Sequence, residues 1–183
     1  AEEQFGSNGF RETRLGDIAE SVGIRRSSLL YHFGSKEKLH STVVERAFKE
    51  MREVIAGSVC LGAELPEQLD ATVDSLLNFA AERPGLVRVI LRQMVDPRGA
   101  NRDQIAAEMS TLVNSLEQIV RGVAQGSIAN DFPARQAILQ IISGYLVRAA
   151  SVELGAQLWG LEDHTRTLAH ALLVGQRPAP RSS

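Results

Sequence analysis

The sequence predicts an all-α protein of about nine helices, because apolar residues recur at spacings of three and four and rarely alternate with polar ones. Glycine and proline residues interrupt this periodicity at positions that suit helix boundaries. The chain has 183 residues, of which 44% are hydrophobic and 23% are charged. This length and composition are ordinary for one large domain, or for two smaller domains that share a core.

Glycine and serine residues set the expected bounds of the first four helices. The first three should end at glycines, namely Gly6 or Gly9, then Gly23, then Gly34. Ser35 can cap the N-terminus of a fourth helix, because its hydroxyl can accept a hydrogen bond from a free backbone N–H. The apolar periodicity extends this fourth helix to about Val59.

Proline residues mark the later helices. Pro66 and Pro84 suit the first turns of a fifth and a sixth helix, since the N–H that proline lacks has no partner there. Asn101 and Gln104 resemble a capping box that opens a seventh helix. The last three helices are expected over about 101–125, 133–154 and 162–174.

Two short helices on either side of a tight turn form the most informative segment. The turn is Ser21–Ile24, in which Gly23 supplies the left-handed backbone that a sharp helix end requires. This spacing is typical of a helix-turn-helix, whose second helix presents its N-terminal residues to the major groove of DNA. Those residues are Arg25, Arg26, Ser27 and Ser28, which can contact phosphates or base edges.

The basic charge of the chain is local. The formal net charge is −2, which argues against a protein that coats nucleic acid without selectivity. Residues 25–40, in contrast, carry two arginines and two lysines against one glutamate. Lys36 begins the fourth helix, where free backbone N–H groups already favour an anion. Tyr31 and His32 end the preceding helix, so the three side chains are expected to grip one DNA strand.

Residues Gly9–Leu39 resemble the DNA-binding domain of the tetracycline-repressor (TetR) family. The matching motifs, in order, are Gly9-Phe10, Thr13, Asp17-Ile18-Ala19, Val22-Gly23-Ile24, Leu30-Tyr31-His32-Phe33 and Ser35-Lys36. The resemblance implies a three-helix DNA-binding domain at 1–38, with its first helix cut short. It also implies a larger ligand-binding and dimerisation domain at 39–175, followed by a tail at 176–183.

The same resemblance implies which side chains contact DNA. Phosphate contacts are expected from Thr13 or Arg14, and from Tyr31, His32 and Lys36. Base and phosphate contacts are expected from the start of the third helix, at Arg25, Arg26, Ser27 and Ser28.

The larger domain suggests a ligand pocket. Helices four to seven carry adaptable apolar side chains that suit a cavity for a mainly apolar small molecule. The candidate ligand-binding residues are Met51, Phe79, Met94 and Met109, together with Tyr145 of the eighth helix. Ordinary filling of the core is the alternative interpretation of each of them.

The last two predicted helices suggest a homodimer. The eighth helix is apolar on more than one face, so it needs two packing partners. Two such helices from each of two chains can form a four-helix bundle. The candidate interface residues are Ile142, Leu146, Leu168 and Leu172.

These features together predict a homodimeric DNA-binding regulator, a repressor that leaves its double-stranded operator when a small molecule binds. A small all-α enzyme is one alternative, disfavoured because no acid–base pair or nucleophile–base set stands out. An interaction protein of the same fold without operator binding is another. The three histidines His40, His164 and His170 lack ligand partners at helical spacing, so neither a metal site nor a cofactor is expected.

Composition also predicts the compartment. Cys60 is the single cysteine, which cannot form an internal disulfide and is consistent with a reducing cytoplasm. No apolar run approaches the roughly 20 residues that cross a bilayer, so we expect a cytoplasmic protein without a membrane partner.

Overall fold

The computed structural model describes residues 1–95, 102–124 and 128–174. Within these ranges it contains ten α-helices and no β-strand, as the periodicity predicts. The first five helices are α1 Glu2–Glu12, α2 Leu15–Ser21, α3 Arg26–Phe33, α4 Lys36–Gly57 and α5 Leu65–Glu82. The other five are α6 Pro84–Val95, α7 Arg102–Ala124, α8 Ala134–Ala150, α9 Val152–Trp159 and α10 Thr165–Leu173.

The first helix is longer than the sequence predicts. The expected end at Gly6 is wrong, whereas the expected interruption at Gly9 is confirmed, although helical backbone resumes after it and continues to Glu12. Gly6 is buried and remains helical, whereas Gly9 has φ 75° and ψ 174° and interrupts the helical geometry inside α1. The break at Gly9 therefore bends the helix instead of ending it.

The predicted eighth helix over 133–154 is two helices. The backbone leaves helical geometry at Ser151, with φ −109° and ψ 57°, so α8 ends at Ala150 and α9 starts at Val152. This division accounts for a tenth helix where about nine were predicted. Asn101 of the predicted capping box, and the tail at 176–183, lie outside the described residues.

The long helix α4 joins the N-terminal helices to the rest of the molecule. Its predicted cap is confirmed, because the Lys38 backbone N–H donates to Ser35 Oγ over 3.1 Å. With 22 residues, α4 is roughly 33 Å long. Buried side chains lie along its whole length, from Leu39 near the start to Ile55 near the end. One rigid element thus spans both predicted domains.

Helix α6 lies at the centre of the fold. It packs against α1, α4 and α8, and its residues Leu86, Val87 and Ile90 are completely buried. The other face of the bundle is formed by α5, α7, α8 and α10. None of the helices in the described ranges has both the length and the apolar character that a bilayer crossing needs.

Candidate nucleic-acid interface

The turn between α2 and α3 is a Schellman motif. The Ile24 N–H donates to the Ala19 carbonyl over 3.0 Å, and the Gly23 N–H donates to the Glu20 carbonyl over 3.0 Å. Gly23 has φ 69°, a left-handed conformation that glycine adopts at little cost. The motif ends α2 sharply and sets the angle at which α3 leaves it, as the sequence predicts.

Helix α3 has one inner and one outer face. Leu29 is buried in the shared hydrophobic core, and Phe33 is half-buried against it. The side chains of Arg25, Arg26, Ser27 and Ser28 are all exposed at the N-terminal end. The structure therefore brings the four predicted residues together on one accessible surface, which we call the α3 surface.

Tyr31 and His32 extend the α3 surface towards α4. Tyr31 is 87% exposed, which is unusual for so large an aromatic side chain without a partner protein. Its ring lies edge-on to the His32 ring, with centroids 5.6 Å apart. Both rings can donate or accept hydrogen bonds at their outer edges, so they can contact a phosphate backbone.

Lys36 is anchored beside this surface. Its Nζ donates to the Arg11 carbonyl over 3.0 Å and lies 4.7 Å from the centre of the Phe10 ring. An ammonium group has three donors, so this anchoring leaves donors for an anion. The sequence did not predict the contact with α1, because it joins residues 25 positions apart.

The structure corrects the predicted role of Thr13. Its side chain is only 2% exposed, and its hydroxyl lies 2.6 Å from the Gly9 carbonyl and 3.0 Å from the Gln4 carbonyl. The hydroxyl therefore secures the bent end of α1 and is not available to a phosphate. Arg14, the other residue of this predicted pair, is exposed at the N-terminus of α2.

Sequence reasoning missed the junction between α1 and α6. The Arg92 guanidinium donates to the carbonyls of Gly6 and Ser7 over 2.8 and 2.7 Å. Arg83 and Arg88 pair with the acidic residues Glu2 and Glu3 at the start of α1. The basic residues of α6 and the acidic start of α1 were visible in the sequence, but nothing indicated that these helices are neighbours.

His40 lies at the same junction. It is 7% exposed, and its ring meets the Phe5 and Phe10 rings edge-on at centroid distances of 4.9 and 5.0 Å. Burial, with the Lys36 charge as a smaller cause, holds the pKa of His40 below its ordinary value. Its Nε2 is 3.4 Å from Nε2 of Gln93, so α6 also contacts it.

The predicted ligand residues are not brought together. Met51 and Phe79 are buried in the core, Met109 is half-buried, and Met94 is 36% exposed near the end of α6. None of these four lines the apolar cavity between α5, α7, α8 and α10. Tyr145 borders a separate cavity of about 510 Å³ with Arg148 and Asp163, and its hydroxyl donates to the Leu76 carbonyl.

Two of the predicted dimer residues are already used within one chain. Leu146 is 0% exposed and Ile142 is 5% exposed, so neither is free to contact a second copy. Leu172 is half-buried, whereas Leu168 is 57% exposed. Helix α9, which the sequence did not separate from α8, exposes Leu154, Leu158 and Trp159.

Comparison with known proteins identifies the N-terminal domain. Residues 1–42 match the family model described as bacterial regulatory proteins, tetR family. The HTH-type transcriptional regulator RutR of Escherichia coli (strain K12) is 26% identical over 133 residues, covering 68% of this chain and 59% of RutR. The chain therefore spans about three fifths of the length of this relative.

Two further proteins are similar to this chain, one over a short stretch of sequence and one in its fold over almost the whole chain. The negative transcriptional regulator IcaR of the icaADBC biofilm operon, from Staphylococcus aureus (strain Newman), is 39% identical over 51 residues, or 28% of this chain and 27% of IcaR. A TetR-like transcriptional regulator from Rhodococcus sp. RHA1 shares the fold with a TM-score of 0.71 and 22% identity, over 96% of this chain and 92% of that protein. The predicted resemblance is confirmed: residues 1–42 match the DNA-binding domain of the TetR family, and the fold of the chain is TetR-like.

Proposed function

We propose that this chain is a transcriptional repressor that binds operator DNA through the α3 surface. The observation that carries the proposal is the exposure of every polar side chain predicted on α3, beside a Schellman turn that fixes the helix. The names of RutR and IcaR describe HTH-type transcriptional regulators, and that of IcaR a negative one, which supports the same function here.

The side chains of the α3 surface divide into two roles. Arg25 and Arg26 lie at the N-terminal end, which enters the major groove in a helix-turn-helix, and an arginine can bond O6 and N7 of a guanine together. Tyr31, His32 and Lys36 lie at the other end, where we assign them to the phosphate backbone. Of the pair Thr13 and Arg14, we assign the phosphate contact to Arg14, because the Thr13 hydroxyl is buried.

Operator recognition by this fold requires two copies of the chain, because one α3 reads only a half-site. We propose that the second copy docks on an apolar surface formed by Leu154, Leu158, Trp159 and Leu168. These large apolar side chains are all more than two fifths exposed, and they lie on α9 and α10. Isolated exposed leucines are common, but α9 alone carries three of these side chains within six residues, and both α9 and α10 pack against α8.

The proposed release by a small molecule depends on α4. This helix begins at Lys36 and ends at Gly57, and it packs against α5, α6 and α7 of the larger domain. A ligand that moves its distal end would change the distance between the two α3 surfaces of a dimer. Half-sites lie about 34–36 Å apart, so a shift of a few ångströms would mismatch successive grooves. The ligand must prefer the shifted state, because equal affinity for both states changes nothing.

Selection of duplexes from a random DNA pool by the immobilised full chain tests the proposal. The expected product is a pseudo-palindrome with half-site centres about 10 base pairs apart, or a multiple of that spacing. A pool that stays random after repeated rounds would contradict the proposal and favour an interaction protein of this fold. The same pool applied to the Arg25→Ala, Arg26→Ala double variant serves as the control and should stay random.

A further inference from the structure

Helix α9 carries three of the four residues of the proposed dimer surface, but its side chains contribute little to the core. The α9 side chains that the structure describes are all exposed, namely Leu154, Ala156, Gln157, Leu158 and Trp159. A helix is fixed against its neighbours mainly by the apolar side chains that it buries. These five side chains therefore do not fix the position of α9.

Helix α10, in contrast, is anchored to the body of the chain. Ala169 is 1% exposed and Leu173 is 2% exposed, so both are buried against the neighbouring helices. On the outer side, Arg166 pairs with Asp70 and Asp74 of α5. Helix α10 thus offers a fixed base, and the question is what ties α9 to it.

The loop that joins α9 to α10 borders a cavity instead of packing closely against α5 and α8. The cavity has a volume of about 510 Å³. Gly160, Leu161 and Asp163 of the loop border it, together with Leu77 of α5 and Tyr145 of α8. Leu161 is 91% exposed, so its side chain does not fill this space. Side-chain packing therefore restrains this loop only weakly.

The Arg148 side chain connects α8 to this loop. Its Nη2 donates to the Glu162 carbonyl over 2.6 Å and lies 3.3 Å from the carbonyls of Gly160 and Leu161. Its Nε lies 3.3 Å from Oδ2 of Asp163, and the arginine side chain is only 19% exposed. A guanidinium carries five N–H donors in a planar fork, so this single side chain can hold four consecutive residues.

The residues that Arg148 holds also end α9 and begin α10. Gly160 follows the last residue of α9 with φ 78°, and its N–H donates to the Ala156 carbonyl over 3.1 Å. Asp163 Oδ1 accepts from the Thr165 N–H over 2.8 Å at the start of α10. Because Arg148 binds the loop at both of these helix ends, it sets the angle between α9 and α10.

We propose that Arg148 is a positioning residue of the homodimer, which holds the exposed apolar residues of α9 and Leu168 of α10 together as one surface. The inference rests on the proposed function, in which this surface binds the second copy. A loop that is already ordered in the monomer loses less conformational entropy when the dimer forms. Arg148 thereby raises the affinity of the dimer through the loop and not through a contact of its own with the partner.

The order of the loop is measured by ¹⁵N relaxation at the backbone N–H groups of Leu161 and Glu162. A Leu168→Asp background places a charge in the proposed dimer surface, so that a second copy does not order the loop. We expect order parameters of about 0.85 with Arg148 and below about 0.6 in Arg148→Met. Arg148→Lys should recover part of the difference, because an ammonium keeps the charge but lacks the planar fork. Order parameters that do not change in Arg148→Met would overturn the proposal.

Sedimentation equilibrium of the Arg148 variants, without the Leu168 substitution, measures the dimer. Arg148→Met should raise the Kd of the dimer at least about tenfold, the value of one hydrogen bond to a charged group. Arg135→Met is the matched control, since Arg135 also lies on α8 but contacts Asn114 and Glu117 of α7. It should leave the Kd unchanged. A loop that becomes mobile in Arg148→Met while the Kd stays at the wild-type value would refute the role in assembly.

Asp163→Asn tests the same contact from the side of the loop, and it decides the question even if Arg148→Met does not fold. The amide oxygen can still accept from the Thr165 N–H, but the ion pair with Arg148 is lost. Both the order parameters and the Kd should change in the same direction as in Arg148→Met, by a smaller amount. No change in either measurement would contradict the proposal.

The two measurements separate this proposal from the function on which it rests. A wild-type chain that is monomeric at micromolar concentration would contradict the proposed homodimer, whereas the order parameters, taken on a monomer, still decide whether Arg148 positions the loop. Order parameters that are independent of Arg148, in a chain that does dimerise, would contradict the positioning role and leave the proposed function intact.

Discussion

Gly6 of α1 and Gly85 of α6 lie in direct backbone contact. A Cβ atom placed on Gly6 would be 2.6 Å from the Gly85 carbonyl oxygen, and one on Gly85 would be 2.9 Å from Glu3 Oε2. Only residues without a side chain permit this approach. The contact seats the N-terminal helix on the central helix of the larger domain. The two predicted domains are therefore joined through backbone contact as well as through α4.

The first prediction concerns this contact. Gly6→Ala should lower the free energy of unfolding by about 1–3 kcal/mol, because α1 must move away from α6 to admit the methyl group. Gly16→Ala is the matched control, since Gly16 lies in α2 with open space around it. There, the helix propensity of alanine should raise stability by about 0.5–1 kcal/mol. Urea unfolding of both variants measures this, and equal stabilisation by the two would contradict the packing argument.

A second prediction concerns the proposed dimer surface. Replacing Leu158 and Leu168 together by aspartate should give monomers in sedimentation, because two unpaired charges would enter an apolar interface. Leu61→Asp is the matched control: Leu61 is 98% exposed and lies in the loop between α4 and α5, not on α9 or α10. It should leave the oligomeric state unchanged. A wild-type protein that is monomeric at micromolar concentration would refute the proposal.

A third prediction concerns Lys36. Because a neutralised phosphate releases counterions, Lys36→Met should reduce the slope of log affinity against log salt by about 0.9 for each phosphate that is no longer neutralised. The reduction in affinity should be similar for all DNA sequences, since a phosphate contact carries no sequence information. Lys49→Met is the control, because Lys49 is exposed on α4 with Glu53 as its ion-pair partner. If both variants keep the wild-type slope, Lys36 does not contact phosphate.

A fourth prediction concerns His40 and acid. The folded-state pKa of His40 is lowered, so below its unfolded value of about 6.5 the unfolded chain binds more protons than the folded one. Stability from this residue is therefore complete above about pH 6.5 and falls as the pH decreases towards the folded-state pKa. His40→Gln should flatten this fall in thermal melts between about pH 4.5 and 7. If the melting temperature of His40→Gln falls with decreasing pH as steeply as that of wild type, the prediction is wrong.

The parts of the fold that local chemistry determines could be predicted from the sequence. Gly23 and Ser35 act through bonds to residues within five positions along the chain, so the turn before α3 and the cap of α4 followed from residue type and spacing. The outward face of α3 followed in the same way, because Leu29 and Phe33 lie four residues apart and share the side that packs on the core.

The parts that depend on distant contacts could not be predicted. Thr13 was expected to contact a phosphate, but the bend at Gly9 also brings its hydroxyl to the carbonyl of Gln4, nine positions earlier in the chain. Leu146 was expected at a dimer interface, but α8 buries both of its apolar faces inside one chain. The sequence did not predict the buried hydrogen bonds of Gln68. Its side chain donates to the Ser58 carbonyl and to the Thr72 hydroxyl, and the bond to Ser58 forms only when α4 and α5 lie side by side.

The central claim is that the α3 surface reads a DNA sequence. Its most direct test is fluorescence anisotropy with a labelled duplex taken from the region upstream of the chain's own gene, against a shuffled duplex of the same composition. We predict that wild type binds the first at least about 1,000-fold more tightly, and that Arg26→Ala loses about 1–3 kcal/mol of that preference. Arg121→Ala, on α7, should retain it. Equal affinity of the wild-type protein for the two duplexes would contradict the account.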